Sequence, residues 1–456
     1  MVNMDDSLTL SPADYGLLTD LYELTMAACY VGEDMHQHRA SFELFVRKLP
    51  EGFGYLIAAG LEQAMDYLAH FQFTPGQLNN LRNTTIFAQA PDQFWTLLEQ
   101  ASFTGDLWAI PEGTAVFAHE PLLRIEAPLW QAQILETYLL NSVNYQTLVA
   151  TKAAQIRDAA GDDATVLEFG SRRAFGPQAA LWAARAAIVG GIDATSNVLA
   201  ALKLGQTPRG TMAHALVMAI SALKESEDAA FAAFLEYFPE SALLIDTYSA
   251  LDAIDRLAQQ AEAGLKIKAV RLDSGNLVEL SKAVRSRLPH VSIFASGDLD
   301  AKEILRLRQA NAAIDGYGVG TKLVTGDPVN GVYKLVEIDS IPTMKGSDGK
   351  TTWPGRKQVF RRIDGGGQLQ QDRLGLAQET GAPEELPLLQ QVIQAGRRIS
   401  SPEALDQIAA RTRQSVQSLP RELRCPINPA PFSPSISSKL QAATHTAQKR
   451  VKALYT

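Results

Sequence analysis

The stretch Ala269-Val270-Arg271-Leu272-Asp273-Ser274-Gly275-Asn276 passes from apolar alternation to charged, hydroxyl and glycine residues. Residues 267–272 are apolar and short enough for a strand buried in a parallel sheet, and 277–288 have helical spacing. Together they read as one βα unit with its polar groups at the strand's carboxyl end. The same order recurs along the chain. Thr165-Val-Leu-Glu-Phe-Gly170 leads to Ser171-Arg172-Arg173, Thr207-Pro-Arg-Gly-Thr-Met212 to Ala213-His214, and Leu243-Leu-Ile245 to Asp246-Thr247. Ser292-Ile-Phe-Ala295 leads to Ser296-Gly297-Asp298, and Ile314-Asp-Gly-Tyr317 to Gly318-Val-Gly-Thr321. Such tails, each before a helical run, predict an α/β barrel or doubly wound sheet whose functional groups converge at the carboxyl ends. Counting on to Gly331-Val-Tyr-Lys-Leu-Val-Glu-Ile338 brings the strands to seven or eight, which favours a closed barrel.

The chain has 456 residues, 46% hydrophobic and 20% charged, which is room for two domains with a sizeable core. A net charge of −8 argues against broad binding to nucleic acid or an anionic membrane, though a local basic pocket can still hold a small anion. Two cysteines, Cys29 and Cys425, offer neither metal spacing nor a disulfide framework, so a reducing, cytoplasmic setting is expected. The first ten residues include Asp5 and Asp6 and lack the basic start and apolar core of an export signal. No run of about 18 apolar residues predicts a membrane span.

Around the strand series, residues 1–150 read as an N-terminal α+β domain, 151–340 as the barrel and 341–456 as a C-terminal segment. Thr19 or Asp20 is a sensible N-cap for helix formers running to Tyr30; Tyr22 in the first turn reads from position as a packing residue. Residues 40–47 alternate as a strand, 55–71 predict an amphipathic helix and 93–99 another. Short β runs over 105–128 make an antiparallel element, and 129–149 predict a long helix leading into the barrel. Hairpin signals follow at Gly346-Ser-Asp-Gly-Lys350, Trp353-Pro-Gly-Arg-Lys-Gln-Val-Phe360 and Gly365-Gly-Gly367, then a helix over 402–412 and a proline-rich stretch over 420–434. This last part lacks a periodic core and is expected to pack back on the N-terminal domain.

Glycines in Tyr317-Gly318-Val319-Gly320-Thr321 allow backbone N–H groups to approach a phosphate beside a hydroxyl, although such a string equally marks a tight turn. Ser296-Gly297-Asp298 is a second such turn, with a carboxylate. Arg271 and Asp273, two apart on one strand, share a face and suit a phosphate and a ribose hydroxyl, or each other. His214 ends a strand tail as either a hydrogen-bonded structural residue or a nucleophile or acid/base. Arg172 and Arg173 are a cationic pair suited to a carboxylate or phosphate, with one of them expected in a salt bridge. No metal-ligand cluster or Ser-His-Asp arrangement is visible, so any metal is expected to arrive with a phosphate.

Leu18-Thr-Asp-Leu-Tyr22-Glu-Leu-Thr-Met26, Glu168-Phe-Gly-Ser-Arg-Arg173, Gly210-Thr-Met-Ala-His214, Val270-Arg-Leu-Asp-Ser-Gly275, Tyr317-Gly-Val-Gly-Thr321 and Gly331-Val-Tyr-Lys-Leu335, taken in that order, resemble the nicotinate phosphoribosyltransferase family. The resemblance implies an irregular α/β barrel of the type II phosphoribosyltransferase kind, with an N-terminal α+β domain completed by the C-terminal segment. It implies a homodimer with shared active sites, joining nicotinate to phosphoribosyl pyrophosphate with coupled ATP hydrolysis and Mg²⁺ to give nicotinate mononucleotide for NAD salvage. By the same resemblance His214, Arg271 and Asp273 are catalytic, and His214 is phosphorylated by ATP. Gly297, Asp298, Gly318, Gly320 and Thr321 hold the 5-phosphate, Arg271 and Asp273 flank the ribose, Ser274 is a further substrate-binding residue, and Phe169 and the partner's Tyr22 stack the pyridine ring. Thr211 and Arg172 line that pocket. Ala215 departs from the serine expected in many relatives and removes one hydroxyl beside His214. The rival implications are a nicotinamide phosphoribosyltransferase and a non-catalytic phosphate-metabolite sensor. The cationic Arg172 and Arg173 lean towards nicotinate, and the intact His214, Arg271 and Asp273 away from a sensor.

Overall fold

The computed structural model describes residues 8–345 and 352–453, so the hairpin expected over 346–350 lies outside the described residues. At the centre is a six-stranded parallel sheet in the order Ala194–Thr195, Thr165–Glu168, Gly316–Val319, Ser292–Ala295, Ala269–Leu272 and Ala242–Leu244. Its aliphatic residues are buried because helices Pro177–Val189, Ala250–Glu262, Leu277–Arg287 and Ala301–Gln309 pack against them. Val166, Leu244, Val270, Ile293 and Val319 are fully covered, each worth about 1.5–3 kcal/mol of apolar transfer. Ala194–Thr195 is too short to show a pattern in the sequence.

Residues 207–212, expected as a strand, form no ladder. Pro208 has no N–H to donate. Arg209 N donates to Thr195 O at 3.0 Å, and the Thr211 hydroxyl donates to Ala242 O. This irregular segment therefore spans the gap between the two outer strands by single bonds. Among the described residues no backbone ladder closes the sheet into a barrel.

Gly331–Ile338 was expected as the last barrel strand; instead it pairs antiparallel with Arg39–Val46, Tyr333 opposite Leu44 and stacked on Phe42 with ring centres 4.9 Å apart. It extends a seven-stranded sheet that includes Pro121–Pro128, Asp106–Ala109 and, from the C-terminal segment, Gln390–Gln394. The C-terminal segment thus completes the N-terminal sheet. Glu43, on the face that alternation assigns to solvent, is buried and accepts from Lys357 N at 2.7 Å. The expected 55–71 helix is interrupted: Gly60, at φ +98° and close to Val143, separates the strand Leu56–Ile57 from the helix Leu61–Ala69. The 129–149 helix is two helices, Leu129–Ile134 and Glu136–Ala160, so the division at residue 150 falls inside one. The helix near 402–412 is Leu405–Gln417. No helix among the described residues is long and apolar enough to cross a membrane.

Candidate active site

Strand register sets the rim of the site. Leu272 pairs with Ala295 and Val319 with Glu168, so Asp273, Ser296, Gly320 and Phe169 emerge at neighbouring carboxyl ends. Arg271 is held three ways: Nε donates to Ser296 Oγ at 2.9 Å, one terminal nitrogen to Met212 O at 3.0 Å and the other to Asp273 Oδ1 at 3.1 Å. The Ser296 hydroxyl donates to the same Asp273 oxygen at 2.5 Å. Three of the guanidinium's five N–H groups are accounted for by these bonds. Burial works to raise the Asp273 pKa, but the Ser296 hydroxyl and the Arg271 cation outweigh it and hold the carboxyl below its usual range. It is ionised at neutral pH.

Asp246 supports this turn from the next strand. Its Oδ2 accepts from Asp273 N at 2.9 Å and from the Ser274 hydroxyl at 2.7 Å, while Oδ1 is buried without a partner among the described residues. Sequence reasoning placed Asp246 on a strand tail but gave it no role, although its position after Leu243-Leu-Ile245 was the available signal.

Arg271, Asp273 and Ser296 line a cavity of about 740 Å³ together with Phe169, Arg172, Arg173, Ser274, Gly297, Asp298, Gly318, Gly320 and Thr321. Gly297 sits at φ +89°, and a Cβ there would lie 2.2 Å from Asp273 O, so only glycine permits the turn. Gly318 lies inside the strand Gly316–Val319, where a Cβ would fall 2.4 Å from the Phe169 ring. It therefore seats Phe169, whose ring centre is 5.8 Å from the Arg271 guanidinium. Arg172 and Arg173 are exposed, and against expectation neither forms an ion pair among the described residues. Two cations face a cavity floored by a fixed Arg–Asp pair, a combination suited to an anionic phosphosugar with hydroxyls.

Three predicted residues lie outside that lining. His214 begins the helix His214–Lys224 at the cavity's edge, with Nδ1 3.1 Å from the Thr247 hydroxyl and Nε2 3.9 Å from Asp273 Oδ2. Thr211 turns its hydroxyl to Ala242 O, away from the ligand space. Tyr22 is half-exposed on the helix Leu21–Gly32, its phenol pKa raised by burial and by the neighbouring Glu136. Ala215 is exposed. No cluster of three or more His, Cys, Asp or Glu side chains suited to a metal occurs among the described residues.

Comparison with known proteins covers nearly the same stretches. The nicotinate phosphoribosyltransferase N-terminal domain profile matches residues 17–144, the nicotinate phosphoribosyltransferase family profile 164–348 and the C-terminal domain profile 383–444. The chain is 43% identical over 420 residues to nicotinate phosphoribosyltransferase pncB2 of Mycobacterium tuberculosis, covering 90% of this chain and 88% of that one. The chain belongs to the nicotinate phosphoribosyltransferase family. It is also 44% identical over 379 residues to the Bacillus subtilis nicotinate phosphoribosyltransferase, covering 79% of this chain and 74% of that one. Among solved structures, human nicotinic acid phosphoribosyltransferase superposes with a TM-score of 0.80 at 29% identity, covering 94% of this chain and 99% of that one.

Proposed function

We propose that the protein transfers the phosphoribosyl group of phosphoribosyl pyrophosphate to the ring nitrogen of nicotinate, giving nicotinate mononucleotide and pyrophosphate for NAD salvage. The observation that carries this reading is the Arg271–Ser296–Asp273 cluster, held rigid on the floor of a cavity whose rim bears two unpaired arginines and an aromatic ring. The ring nitrogen's lone pair forms the new bond as the anomeric carbon–oxygen bond to pyrophosphate breaks. Positive charge grows on the sugar, and the ionised Asp273 beside the ribose favours it. Gly297-Asp298 and Gly320-Thr321 bind the 5-phosphate, with Ser274 on the ribose side. Phe169 stacks one face of the pyridine, and Arg172 or Arg173 receives its carboxylate, a contact that a neutral carboxamide would not repay.

Mg²⁺ suits this site because the carboxylates on the cavity lining, Asp273 and Asp298, are hard oxygen donors too few to hold a metal without substrate phosphates. Bound there with the pyrophosphate, it would neutralise the leaving group. We assign His214 as the acceptor of a phosphoryl group from ATP, coupling hydrolysis to synthesis, since its ring borders Asp273 without facing the sugar pocket. Tyr22 reaches the site of a second subunit in a homodimer. Two free cysteines are in keeping with a cytoplasmic setting. Arg271→Ala and Asp273→Asn are expected to lose nicotinate mononucleotide synthesis by a hundredfold or more (roughly 3 kcal/mol of barrier) while still unfolding cooperatively, with only the modest loss of stability, about 1–3 kcal/mol, that orphaned hydrogen-bond partners cost. Retained synthesis in either variant would remove the cluster from the reaction.

A further inference from the structure

The helix Glu136–Ala160 passes from the N-terminal sheet to the six-stranded parallel sheet and sends two donors towards the rim of the site. Tyr145 OH donates to Val324 O at 3.0 Å, and Lys152 Nζ donates to Thr325 O. Seven residues apart, they project from one face of that helix. Their acceptors close the short turn Thr321–Val324, whose first residue, Thr321, and the capping Gly320 before it face the cavity. Within the turn, Thr325 N donates to Thr321 O at 3.0 Å and the Thr325 hydroxyl to the same oxygen at 2.7 Å. The carbonyls that such a turn leaves unpaired at its end are thus taken up by the long helix. Two glycines make room for this contact. At Gly326, φ +147°, a Cβ would lie 2.9 Å from Lys152 Nζ, and at Gly170 a Cβ would lie 2.4 Å from a Val324 methyl. Val324 therefore also packs under the turn that carries Phe169.

We propose that Tyr145 and Lys152 are positioning residues that hold the turn bearing Gly320 and Thr321 against the phosphoribosyl pyrophosphate end of the cavity. The inference rests on the proposed reading of that cavity. Burial pushes the Lys152 pKa down to about 8, Lys322 acts in the same direction, and Asp300 and Asp327 oppose it. The ammonium therefore gives up its charge as the pH rises through about 8, and the stronger, charge-assisted bond to Thr325 O weakens with it.

Steady-state kinetics of Tyr145→Phe, Lys152→Met and Thr321→Ala test this. The first two are expected to raise KM for phosphoribosyl pyrophosphate about three- to tenfold, the range for one lost hydrogen bond, with kcat within about twofold and KM for nicotinate unchanged. Wild-type KM for phosphoribosyl pyrophosphate should climb from pH 7 to pH 9, and that of Lys152→Met should stay flat. Unchanged KM values in both clamp variants, with Thr321→Ala raising KM, would overturn the positioning role and leave the site reading intact. A normal KM in Thr321→Ala would remove both. Lower melting temperatures with wild-type kinetics would assign the two residues to stability alone, and if Lys152→Met does not fold, Tyr145→Phe decides, since it deletes a single oxygen.

Discussion

Gly318→Ala places a methyl group where the Phe169 ring now lies, 2.4 Å from its Cε2 atom, in a strand whose backbone accepts alanine. The ring must swing off its seat. An aromatic contact of this kind is worth about 0.5–1.5 kcal/mol beyond buried area, so losing it should raise KM for nicotinate about 2- to 12-fold. The strained neighbours should cost about 1–3 kcal/mol of stability. Arg271 and Asp273 stay in place through Ser296 and Met212 O, so KM for phosphoribosyl pyrophosphate should move by less than about twofold. Initial rates with each substrate varied in turn, alongside thermal unfolding, give the comparison. A folded variant with wild-type KM for nicotinate, or with both KM values raised equally, would refute Phe169 as the ring's stacking partner.

His214→Ala should abolish ATP hydrolysis while leaving some nucleotide synthesis at high phosphoribosyl pyrophosphate; an intact ATPase would rule out the phosphoryl-acceptor role. Mixing inactive Tyr22→Ala with inactive Arg271→Ala under subunit exchange should restore about one quarter of wild-type activity, because half the dimers are mixed and half of their sites are intact. No recovery despite exchange would leave Tyr22 a packing residue. Glu23 is buried, takes hydroxyl donors from Thr19 and Thr137, and is pushed up to about 7, chiefly by burial. Its folded pKa exceeds the unfolded one, so ionising it costs stability progressively from about pH 4.5 to pH 7 and fully above. Glu23→Gln should therefore gain about 3 kcal/mol on wild type between pH 4.5 and pH 8 in urea unfolding, and parallel stabilities would contradict that burial penalty.

Much of the parallel sheet was legible because buried strands such as Ala269–Leu272 are short apolar runs that end abruptly in Asp, Ser and Gly, a contrast composition alone displays. Residues 207–212 carry the same contrast but bridge by Thr211's side chain, which no periodicity reveals. Gly331–Ile338 alternates like any strand, and only its partner, more than 280 residues earlier at Arg39–Val46, decides its sheet. In the site, Arg271 and Asp273 could be paired from their spacing of two, whereas Ser296 as their bridge and Asp246 as their support depend on neighbouring strands meeting in register. Gly318 looked like a phosphate contact, and its seat for Phe169 is a packing relation across strands.

The most direct test is kcat/KM of the purified protein for nicotinate and for nicotinamide, with phosphoribosyl pyrophosphate, Mg²⁺ and ATP present or omitted, read as mononucleotide formed. Nicotinate should be preferred by a hundredfold or more, the selectivity that about 3 kcal/mol from a charged contact supplies, and ATP should increase the yield. Equal use of nicotinamide, or no mononucleotide from either base, would contradict the assignment of this cavity to nicotinate phosphoribosyl transfer.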